Sequence, residues 1–268
     1  MTKKQAGKSK DFDKYYYYHR SVQSPANDVK FLRKTYKQIR GEAPETLRED
    51  FCGTFSICCE WVKLKKHHQA IGIDIDPEPI NYGRNNYYTE LKSSEQERIQ
   101  IIEKSVLAKD LPQADIVAAQ NFSYYLFKTR KELLEYYKSA YAGVKDGGIF
   151  VADCFGGSQC MEPNEEETDH GDFSYYWDQD SFDPVTNEAM FYIHFKRKGE
   201  KKREKMFTYD WRMWTIPEIR EIMEEAGFKE TRVYWEGTTE DGDGDGEFKA
   251  VTKGEDCEAW VSYVVGLK

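Results

Sequence analysis

The chain has 268 residues and a net charge of −9 at neutral pH, and its 19 tyrosines, 15 phenylalanines and 6 tryptophans outnumber its leucines, isoleucines and valines. The acidic balance argues against a nucleic-acid partner, because clustered Lys and Arg supply most of the affinity for a phosphate backbone. No stretch approaches the ~18 apolar residues of a membrane span and the basic N-terminus does not resemble a signal peptide, so we expect a cytoplasmic protein without membrane association.

Short apolar runs alternate with helical patterns over residues 46–157, which is typical of a parallel sheet with helices on both faces. Asp76 is positioned to cap one of these helices, with Pro77 in its first turn, and Gly147 and Gly148 indicate a turn before the last strand. The predicted strands cover residues 46–50, 70–74, 99–103, 115–120 and 149–153, and the predicted helices cover residues 54–65, 77–91 and 129–142.

The pattern changes after Gly157. Residues 158–188 are acidic and rich in turn formers. Further along the chain, a predicted helix begins at the capping box of Thr215 and Glu218 and ends at Gly227. The acidic stretch 240–247 is predicted to be a solvated loop, because it lacks the final glutamate that a calcium loop needs. The remaining predicted strands cover residues 189–196, 204–210, 228–235 and 258–265, the last two as an antiparallel pair.

The turn after the first predicted strand has the composition of a ligand-binding turn. It runs Glu-Asp-Phe-Cys-Gly-Thr-Phe over residues 49–55, where a nucleotide-like ligand binds in a parallel sheet. The second strand ends at Asp74, whose carboxylate can accept hydrogen bonds from ribose hydroxyls. A dinucleotide-binding fold shares this acid, but it also has G-x-G-x-x-G, and the turn here has Gly53 alone.

These motifs, in this order and spacing, resemble those of the class I S-adenosylmethionine-dependent methyltransferases. Residues 49–55 fit the family's first motif in register, although Phe51 and Phe55 stand where the family has glycine. Residues 72–77 resemble the second motif, and residues 153–157 fit the end of strand five. The resemblance implies an α/β fold with a Rossmann-like, seven-stranded, mostly parallel sheet, an antiparallel terminal strand pair and a small β-rich insertion after strand five.

The resemblance also implies S-adenosylmethionine as the cofactor. Glu49 would hold its amino group, Asp74 would bind its ribose hydroxyls and Ile75 would lie against its adenine. Ser105 falls where the family contacts the adenine after strand three. The cofactor-binding residues implied in this way are Glu49, Phe51, Cys52, Gly53, Asp74, Ile75, Ser105, Val106, Asn121 and Phe122.

Residues around strand four and in the insertion are candidates for the substrate side. Asn121 and Tyr124 have the N-x-x-Y spacing of the N-P-P-Y motif in some amine and amide methyltransferases, without its prolines. Methyl transfer requires alignment of the reactants, and any base must lie near the acceptor. We predict substrate contacts from Tyr124, Trp211 and Arg212, and candidate bases are Tyr209, His194, Tyr18, His19 and Asp210. No metal site is predicted, because the six cysteines contain no CxxC pair and are expected to be free thiols.

The aromatic surplus is confined to two segments, residues 158–215 and the first 45 residues. We therefore predict three parts: an N-terminal tail and lid helix (1–45), a cofactor-binding Rossmann-like domain (46–157 and 215–268), and an inserted lobe that covers the substrate (158–214). Flat apolar rings in the two covering segments could stack on a ring or surround a cationic amine. The leading hypothesis is a methyltransferase acting on a small molecule.

Two alternatives remain open from the sequence. The replaced glycines are compatible with a Rossmann-like module that binds NAD or another nucleotide, with or without catalysis. A methyltransferase acting on RNA or protein is the other alternative, with the basic stretch 196–205 as a contact surface.

Overall fold

The fold is described by a computed structural model of residues 11–239 and 244–268. In these residues the strands form an eight-stranded, mostly parallel sheet and a separate four-stranded antiparallel sheet. The predicted α/β fold with a β-rich insertion after strand five is therefore confirmed. Within the same residues no helix combines the length and the apolar character that crossing a membrane requires.

The helices and strands follow one another along the chain in the order that the sequence pattern predicts, with additional strands in the insertion and near the C-terminus. The helices are α1 (Lys14–Val22), α2 (Pro25–Arg40), α3 (Ser56–Leu64), α4 (Pro77–Asn86), α5 (Ser93–Gln96), α6 (Arg130–Gly143) and α7 (Ile216–Ala226). The strands are β1 (Thr46–Asp50), β2 (Gln69–Asp74), β3 (Ile99–Glu103), β4 (Ala114–Ala119), β5 (Val144–Gly156), β6 (Asn164–Asp169), β7 (Phe173–Asp183), β8 (Glu188–Arg197), β9 (Arg203–Arg212), β10 (Glu230–Thr238), β11 (Gly244–Val251) and β12 (Trp260–Leu267).

The large sheet has the strand order β11-β10-β12-β5-β4-β1-β2-β3. Strands β1 to β5 are parallel to their neighbours within that group, whereas β12 is antiparallel to both β5 and β10. Residues from α2 and α3 fill the core on one face, and residues from α6 and α7 fill the core on the other. The carboxyl ends of β1, β2, β4 and β5 consequently meet along one edge.

Two boundaries of the large sheet differ from the sequence prediction. The acidic stretch was expected to be a loop, but residues 244–247 begin β11, and residues 240–243 lie outside the described residues. Phe248 anchors this edge strand, with its ring 4.7 Å from Tyr263. Strand β5 begins at Val144, before the predicted turn, and it includes Gly147, whose backbone is left-handed (φ 76°).

The inserted sheet has the order β6-β7-β8-β9, so residues 158–188 contain two strands that the sequence did not predict. Strand β6 is fully exposed and acidic, as suits an edge strand that must not pair with another chain. In β7 the residues at odd positions, such as Phe173, Tyr175 and Trp177, share one face because side chains alternate along a strand. The neighbouring acidic residues concealed this alternation in the sequence.

Helix α1 connects the inserted sheet to the large domain. The ring centroid of Tyr17 lies 4.8 Å from that of Phe173 in β7. On the other side of the helix, the ring of Tyr15 lies 4.8 Å from that of Tyr82 in α4, and Tyr82 donates a hydrogen bond of 3.0 Å to Asp13. The N-terminal segment thus covers the edge of the large sheet, as a lid would.

A buried ion pair fixes the middle of β1. The Arg48 guanidinium donates to both carboxylate oxygens of Asp50, at 2.8 and 3.1 Å, and both side chains are fully buried. Tyr136 of α6 donates a further bond of 3.1 Å to Asp50. A side-chain carbon at Gly143 would lie 1.9 Å from the Arg48 guanidinium, so only glycine fits where α6 ends.

Replacing Asp50 with alanine is expected to lower the free energy of unfolding by about 3–5 kcal/mol, because it leaves the Arg48 charge buried without a partner. Urea denaturation followed by fluorescence measures the change. The double replacement Arg48→Met/Asp50→Leu is the control, since it removes both charges and should recover most of the loss. A loss below about 1 kcal/mol for Asp50→Ala would contradict this role of the pair.

Candidate functional site

The turn after β1 adopts a glycine-like backbone at three positions, although only one of them is glycine. Phe51, Gly53 and Phe55 all have left-handed conformations, with φ of 57°, 51° and 46°. Such a conformation is unusual for a bulky residue, and surrounding packing must hold it. Phe55 is fully buried, and the Phe51 ring lies 5.2 Å from that of Tyr136. The two phenylalanines therefore anchor the turn in the cores on either side of the sheet, while its path stays that of a glycine-rich turn.

Asp74 ties the end of β2 to this turn. Its carboxylate accepts the backbone N–H of Gly53 at 2.7 Å and that of Asp76 at 2.9 Å. Burial raises the pKa of Asp74 above its ordinary value. A side-chain carbon at Gly53 would meet no atom within 4 Å, so open space lies in front of the turn where a ligand can approach.

Cys52 contributes its backbone to the site and its side chain to the core. The side chain is buried, and a carbon added at Gly72 of β2 would lie 2.8 Å from its Sγ. Burial raises the pKa of Cys52 well above that of a free thiol, so the group stays protonated and unreactive. Since the side chain of Cys52 is buried, only its peptide group can take the predicted position beside the ligand.

Two exposed apolar side chains, Ile75 and Leu107, follow the ends of β2 and β3. Ile75 is 70% exposed although it is aliphatic and follows directly on the strand end. After β3, Ser105 accepts the backbone N–H of Leu107 at 3.2 Å, and Leu107 is exposed. The side chain of Val106 packs in the core, so the apolar group available to a ligand there is Leu107, which the sequence did not indicate.

A layer of buried polar side chains lies at the same edge on the α2 side of the sheet. Glu49 of β1, Gln120 after β4 and Asp153 of β5 are only 4%, 5% and 6% exposed. They share this face because each follows, two residues along its strand, a side chain of the α2-side core. Cys58 donates a hydrogen bond of 3.1 Å from its thiol to Glu49, and the side-chain nitrogen of Gln120 has no partner among the described residues.

The carboxyl groups of this layer have raised pKa values, near neutral pH. Burial raises the pKa of Glu49 to about 8 and that of Asp153 to about 7. Burial likewise raises the pKa of Asp28, on α2, to about 7, and its negative charge further raises the pKa of the other two. Two buried carboxyl groups and the half-buried Asp28, none of them compensated by a cation, form a site suited to a cation, whose charge would favour their ionised forms.

Asp153 also fixes the turn after β4. Its two carboxylate oxygens accept the backbone N–H groups of Asn121 and Phe122, at 2.6 and 2.9 Å. Both of these residues have φ of 57°, a conformation that the paired bonds hold in place. The sequence pattern singled out Asn121 and Phe122 but missed Asp153, which positions both.

A cavity of about 210 Å³ opens above this turn, between the two sheets and under α1. We call it the acceptor cavity. Its walls are mostly aromatic, and they come from the N-terminal helix, the turn after β4, the end of β5 and the odd-numbered face of the inserted sheet. The lining residues are Tyr18, Val22, Asn121, Phe122, Phe155, Tyr175, Trp177, Ile193, Tyr209, Trp211 and Val261.

Tyr18 and Tyr209, two of the candidate bases, both line this cavity, and each affects the pKa of the other. Burial raises the pKa of Tyr18 to about 12 and that of Tyr209 well above its ordinary value. Both phenols therefore keep their protons at neutral pH and cannot act as bases there. Their hydroxyl groups remain available as hydrogen-bonding groups toward a bound molecule.

The structure does not place His194 at the cavity, where the candidate bases Tyr18 and Tyr209 lie. It belongs to the opposite face of the inserted sheet, since Ile193 lines the cavity. Its Nε2 lies 2.9 Å from Asp178, and its Nδ1 accepts the backbone N–H of Lys205 at 2.8 Å. Both ring nitrogens are thus used within the sheet.

The same bonds decide against metal binding at this place. One ligand atom each of Glu165, Asp178 and His194 lies within 4.8 Å of the others. Because Nδ1 of His194 accepts a backbone N–H, the proton of the neutral ring sits on Nε2, which leaves no lone pair there for an ion. Glu165 in addition pairs with Lys202.

Two predicted substrate contacts also lie elsewhere. Tyr124 is fully buried, and its hydroxyl donates to the backbone carbonyl of Asp153 at 2.7 Å. Arg212 donates to Glu218 at 3.2 Å, and its guanidinium lies 3.9 Å from the ring centroid of Trp214. Both residues hold elements in place and neither lines the acceptor cavity, whereas Trp211 does.

The other two candidate bases are also paired outside the cavity. His19 of α1 has its Nδ1 3.2 Å from Gln23, and its ring lies 5.2 Å from that of Tyr87. Asp210 forms an ion pair of 2.5 Å with Lys128. Neither of them lines the acceptor cavity.

Solved structures with the same fold are methyltransferases. An S-adenosylmethionine-dependent methyltransferase from Clostridium acetobutylicum is 17% identical, with a TM-score of 0.69 over 94% of this chain and 97% of that one. DesVI from Streptomyces venezuelae is 13% identical, with a TM-score of 0.66 over 96% and 98%. CalS10, an amino pentose methyltransferase from Micromonospora echinaspora with bound S-adenosylmethionine, is 12% identical, with a TM-score of 0.65 over 96% and 99%.

The sequence itself matches no protein-family model and no curated protein. At identities this low, likeness between structures establishes the fold, and the fold is that of the class I S-adenosylmethionine-dependent methyltransferases. The family resemblance carried by the motifs at residues 49–55 and 72–77 is thereby confirmed at the level of the fold.

The raised pKa values predict how stability depends on pH. Groups such as Glu49 and Asp153 bind protons more tightly when folded, so the protein without ligand should lose stability as pH rises from about 4 to about 8. Glu247, whose pKa two lysines lower to about 2, changes stability only below about pH 4. Urea unfolding at pH 5 and pH 8 measures the slope, which Glu49→Gln should flatten. Equal stability at both pH values in the unsubstituted protein would contradict this ionisation behaviour.

Proposed function

We propose that the protein is an S-adenosylmethionine-dependent methyltransferase that acts on a small-molecule amine. The observation that carries this proposal is that the ligand-binding turn, Asp74 and the acceptor cavity all lie at one edge of the sheet. Glu49 and Asp153, on strands β1 and β5, belong to the same buried layer beneath it. One molecule at the turn and another in the cavity would therefore meet above these carboxyl groups.

The residues at the turn fit S-adenosylmethionine. Asp74 uses two of its acceptor positions for backbone N–H groups, and a carboxylate has about four, so ribose hydroxyls can bind the others. Ile75 and Leu107 offer exposed apolar surface for the adenine, while Glu49 and Gln120 offer buried polar groups for the amino acid part. When bound, this cofactor supplies a methyl group on a positively charged sulfur.

The acceptor cavity fits an amine. Its aromatic walls can surround a cationic group, and Asp153 lies directly behind the turn that lines it. An amine must lose a proton to expose its lone pair. That proton can pass to solvent, and we assign to Asp153 a positioning role, because its two carboxylate oxygens hold Asn121 and Phe122 of the turn that lines the cavity.

The similar structures support an acceptor of this kind. CalS10 is described as an amino pentose methyltransferase, and KedS8 from Streptoalloteichus, 13% identical with a TM-score of 0.63 over 100% of this chain and 97% of that one, as a sugar N-methyltransferase. Among the described residues that line the acceptor cavity there is no lysine or arginine. A phosphate backbone would find no counter-charge there, which favours a small molecule over RNA.

The replaced glycines no longer favour the alternative of a nicotinamide nucleotide. The backbone at Phe51 and Phe55 is left-handed, a conformation that glycine adopts readily, so these two positions keep a backbone suited to glycine. In the basic stretch of the inserted sheet, Lys205 lies 4.0 Å from the ring centroid of Tyr192, so this lysine interacts within the protein.

Isothermal titration of the purified protein with S-adenosylmethionine and S-adenosylhomocysteine tests the cofactor. Both should bind, and Asp74→Ala should weaken binding at least about tenfold through the lost hydrogen bonds to the ribose. Asp146→Ala, which removes the same charge from an exposed position near the start of β5, at the opposite edge of the sheet, should leave binding unchanged. Failure of either compound to bind at high micromolar concentration would overturn the proposal.

Release of S-adenosylhomocysteine in the presence of small amines, and of matched alcohols and thiols, tests the acceptor. We expect turnover with amines, and Asp153→Asn should reduce it about tenfold because an amide nitrogen replaces one of the two oxygens that hold the turn. Cofactor affinity of the same variant should stay within about threefold, which shows that the fold persists. Turnover of alcohols or thiols alone, or an unaffected Asp153→Asn enzyme, would contradict the assignment.

A further inference from the structure

A second cavity adjoins the acceptor cavity. We call it the distal cavity. It has a volume of about 230 Å³ and shares three wall residues, Phe155, Trp177 and Val261, with the acceptor cavity. Its full lining is Phe155, Gly156, Gln159, Cys160, Asn164, Glu166, Trp177, Gln179, Glu236, Ala259, Trp260 and Val261. A molecule larger than the acceptor cavity would extend past these shared walls into it.

The distal cavity owes its shape to a pair of glycines at the end of β5. A side-chain carbon at Gly156 would lie 2.4 Å from the Trp260 ring, and one at Gly157 would lie 2.1 Å from the carbonyl oxygen of Glu258. Both glycines therefore let the start of β12 lie close against β5. Trp260 forms the wall, and its ring packs 5.1 Å from that of Trp235.

The polar groups of the distal cavity are amides and carboxylates. Gln179 is 4% exposed, and its side-chain nitrogen donates to the carbonyl of Cys160 at 2.7 Å, which fixes the amide in place. Glu166 and Glu236 line the cavity from the two sheets. Among the described residues that line either cavity there is no lysine or arginine.

This charge pattern selects among possible acceptors. Hydroxyl and ammonium groups can donate hydrogen bonds to the Glu166 and Glu236 carboxylates. A phosphate placed there would meet no cation, and it would be repelled by both carboxylates. The distal cavity therefore favours hydroxylated or cationic groups and disfavours phosphorylated ones.

We propose that the methyl acceptor is a two-part molecule, with its amine in the acceptor cavity and a hydroxylated or cationic remainder without phosphate in the distal cavity. This inference rests on the proposed function of the acceptor cavity. It names the substrate class as unphosphorylated hydroxylated amines, such as free or glycosidically linked amino sugars, in contrast to amino sugars carried on a nucleotide.

Matched amines with and without phosphate test the proposal on the full chain saturated with S-adenosylhomocysteine. The probes are glucosamine with glucosamine 6-phosphate, and ethanolamine with phosphoethanolamine, measured by ligand-observed NMR. Glucosamine should bind with a dissociation constant in the range of about 1–10 mM, and its phosphate at least about tenfold more weakly. Ethanolamine, which is too small to span both cavities, should bind more weakly than glucosamine.

The variant Glu236→Lys distinguishes charge selection from shape. It should reverse the preference, so that glucosamine 6-phosphate binds at least about tenfold better than it does to the unsubstituted protein. Glu162→Lys is the control, because Glu162 is exposed and lies outside the lining of both cavities. Retained affinity for S-adenosylhomocysteine shows that each variant is folded.

The outcomes separate this inference from the proposed function. If S-adenosylhomocysteine binds but phosphorylated probes bind as well as the free amines, or if neither member of a pair binds at about 10 mM, the distal-cavity proposal is overturned alone. An unchanged preference in Glu236→Lys would overturn it as well. If S-adenosylhomocysteine itself does not bind, the proposed function fails first.

Discussion

The hydrogen bond from the Gly53 N–H to the Asp74 carboxylate is the contact on which the site depends. It joins the turn after β1 to the end of β2, so the two ligand-binding segments cannot move independently. The turn is bent by three left-handed residues, two of which are phenylalanines whose side chains are held in the flanking cores. Packing at Phe51 and Phe55 therefore holds a left-handed backbone that glycine would adopt without strain.

The carboxyl layer lacks charge compensation. None of the three acidic groups on β1, β5 and α2 has an ion-pair partner among the described residues; burial raises the pKa of each, and the charge of Asp28 adds to the rise at Glu49 and Asp153. Their ionised forms are unfavourable in the protein without ligand, and a nearby cation would favour them. The buried Arg48–Asp50 pair on the other face of β1 shows the contrasting, fully compensated arrangement.

Much of the large domain could be predicted from the sequence because local signals and tertiary structure agree there. Asp76 caps α4, and the box of Thr215 and Glu218 begins α7, as their side-chain chemistry indicates. The inserted sheet was harder, because acidic residues interrupt the alternation of β7 and the register between strands is not encoded locally. That register decides that Tyr209 and Trp211 face the cavity while His194 faces away.

Two residues of the site, Gln120 and Asp153, could not be recognised in the sequence for the same reason. Both follow apolar runs at strand ends, where a polar residue ordinarily meets solvent. Their burial depends on α2 and the N-terminal helix, which lie far away along the chain. Leu107 escaped notice for the opposite reason, since an aliphatic residue in a loop gives no sign that it will be exposed.

Helix α1 has a kinetic consequence. It contacts the inserted sheet through Tyr17 and the large domain through the ion pair of Lys14 with Glu78, and it also supplies Tyr18 to the acceptor cavity. The same nine-residue helix therefore borders both the edge that carries Asp74 and the cavity. Under the proposed function, a displacement of this helix would change access for cofactor and acceptor together.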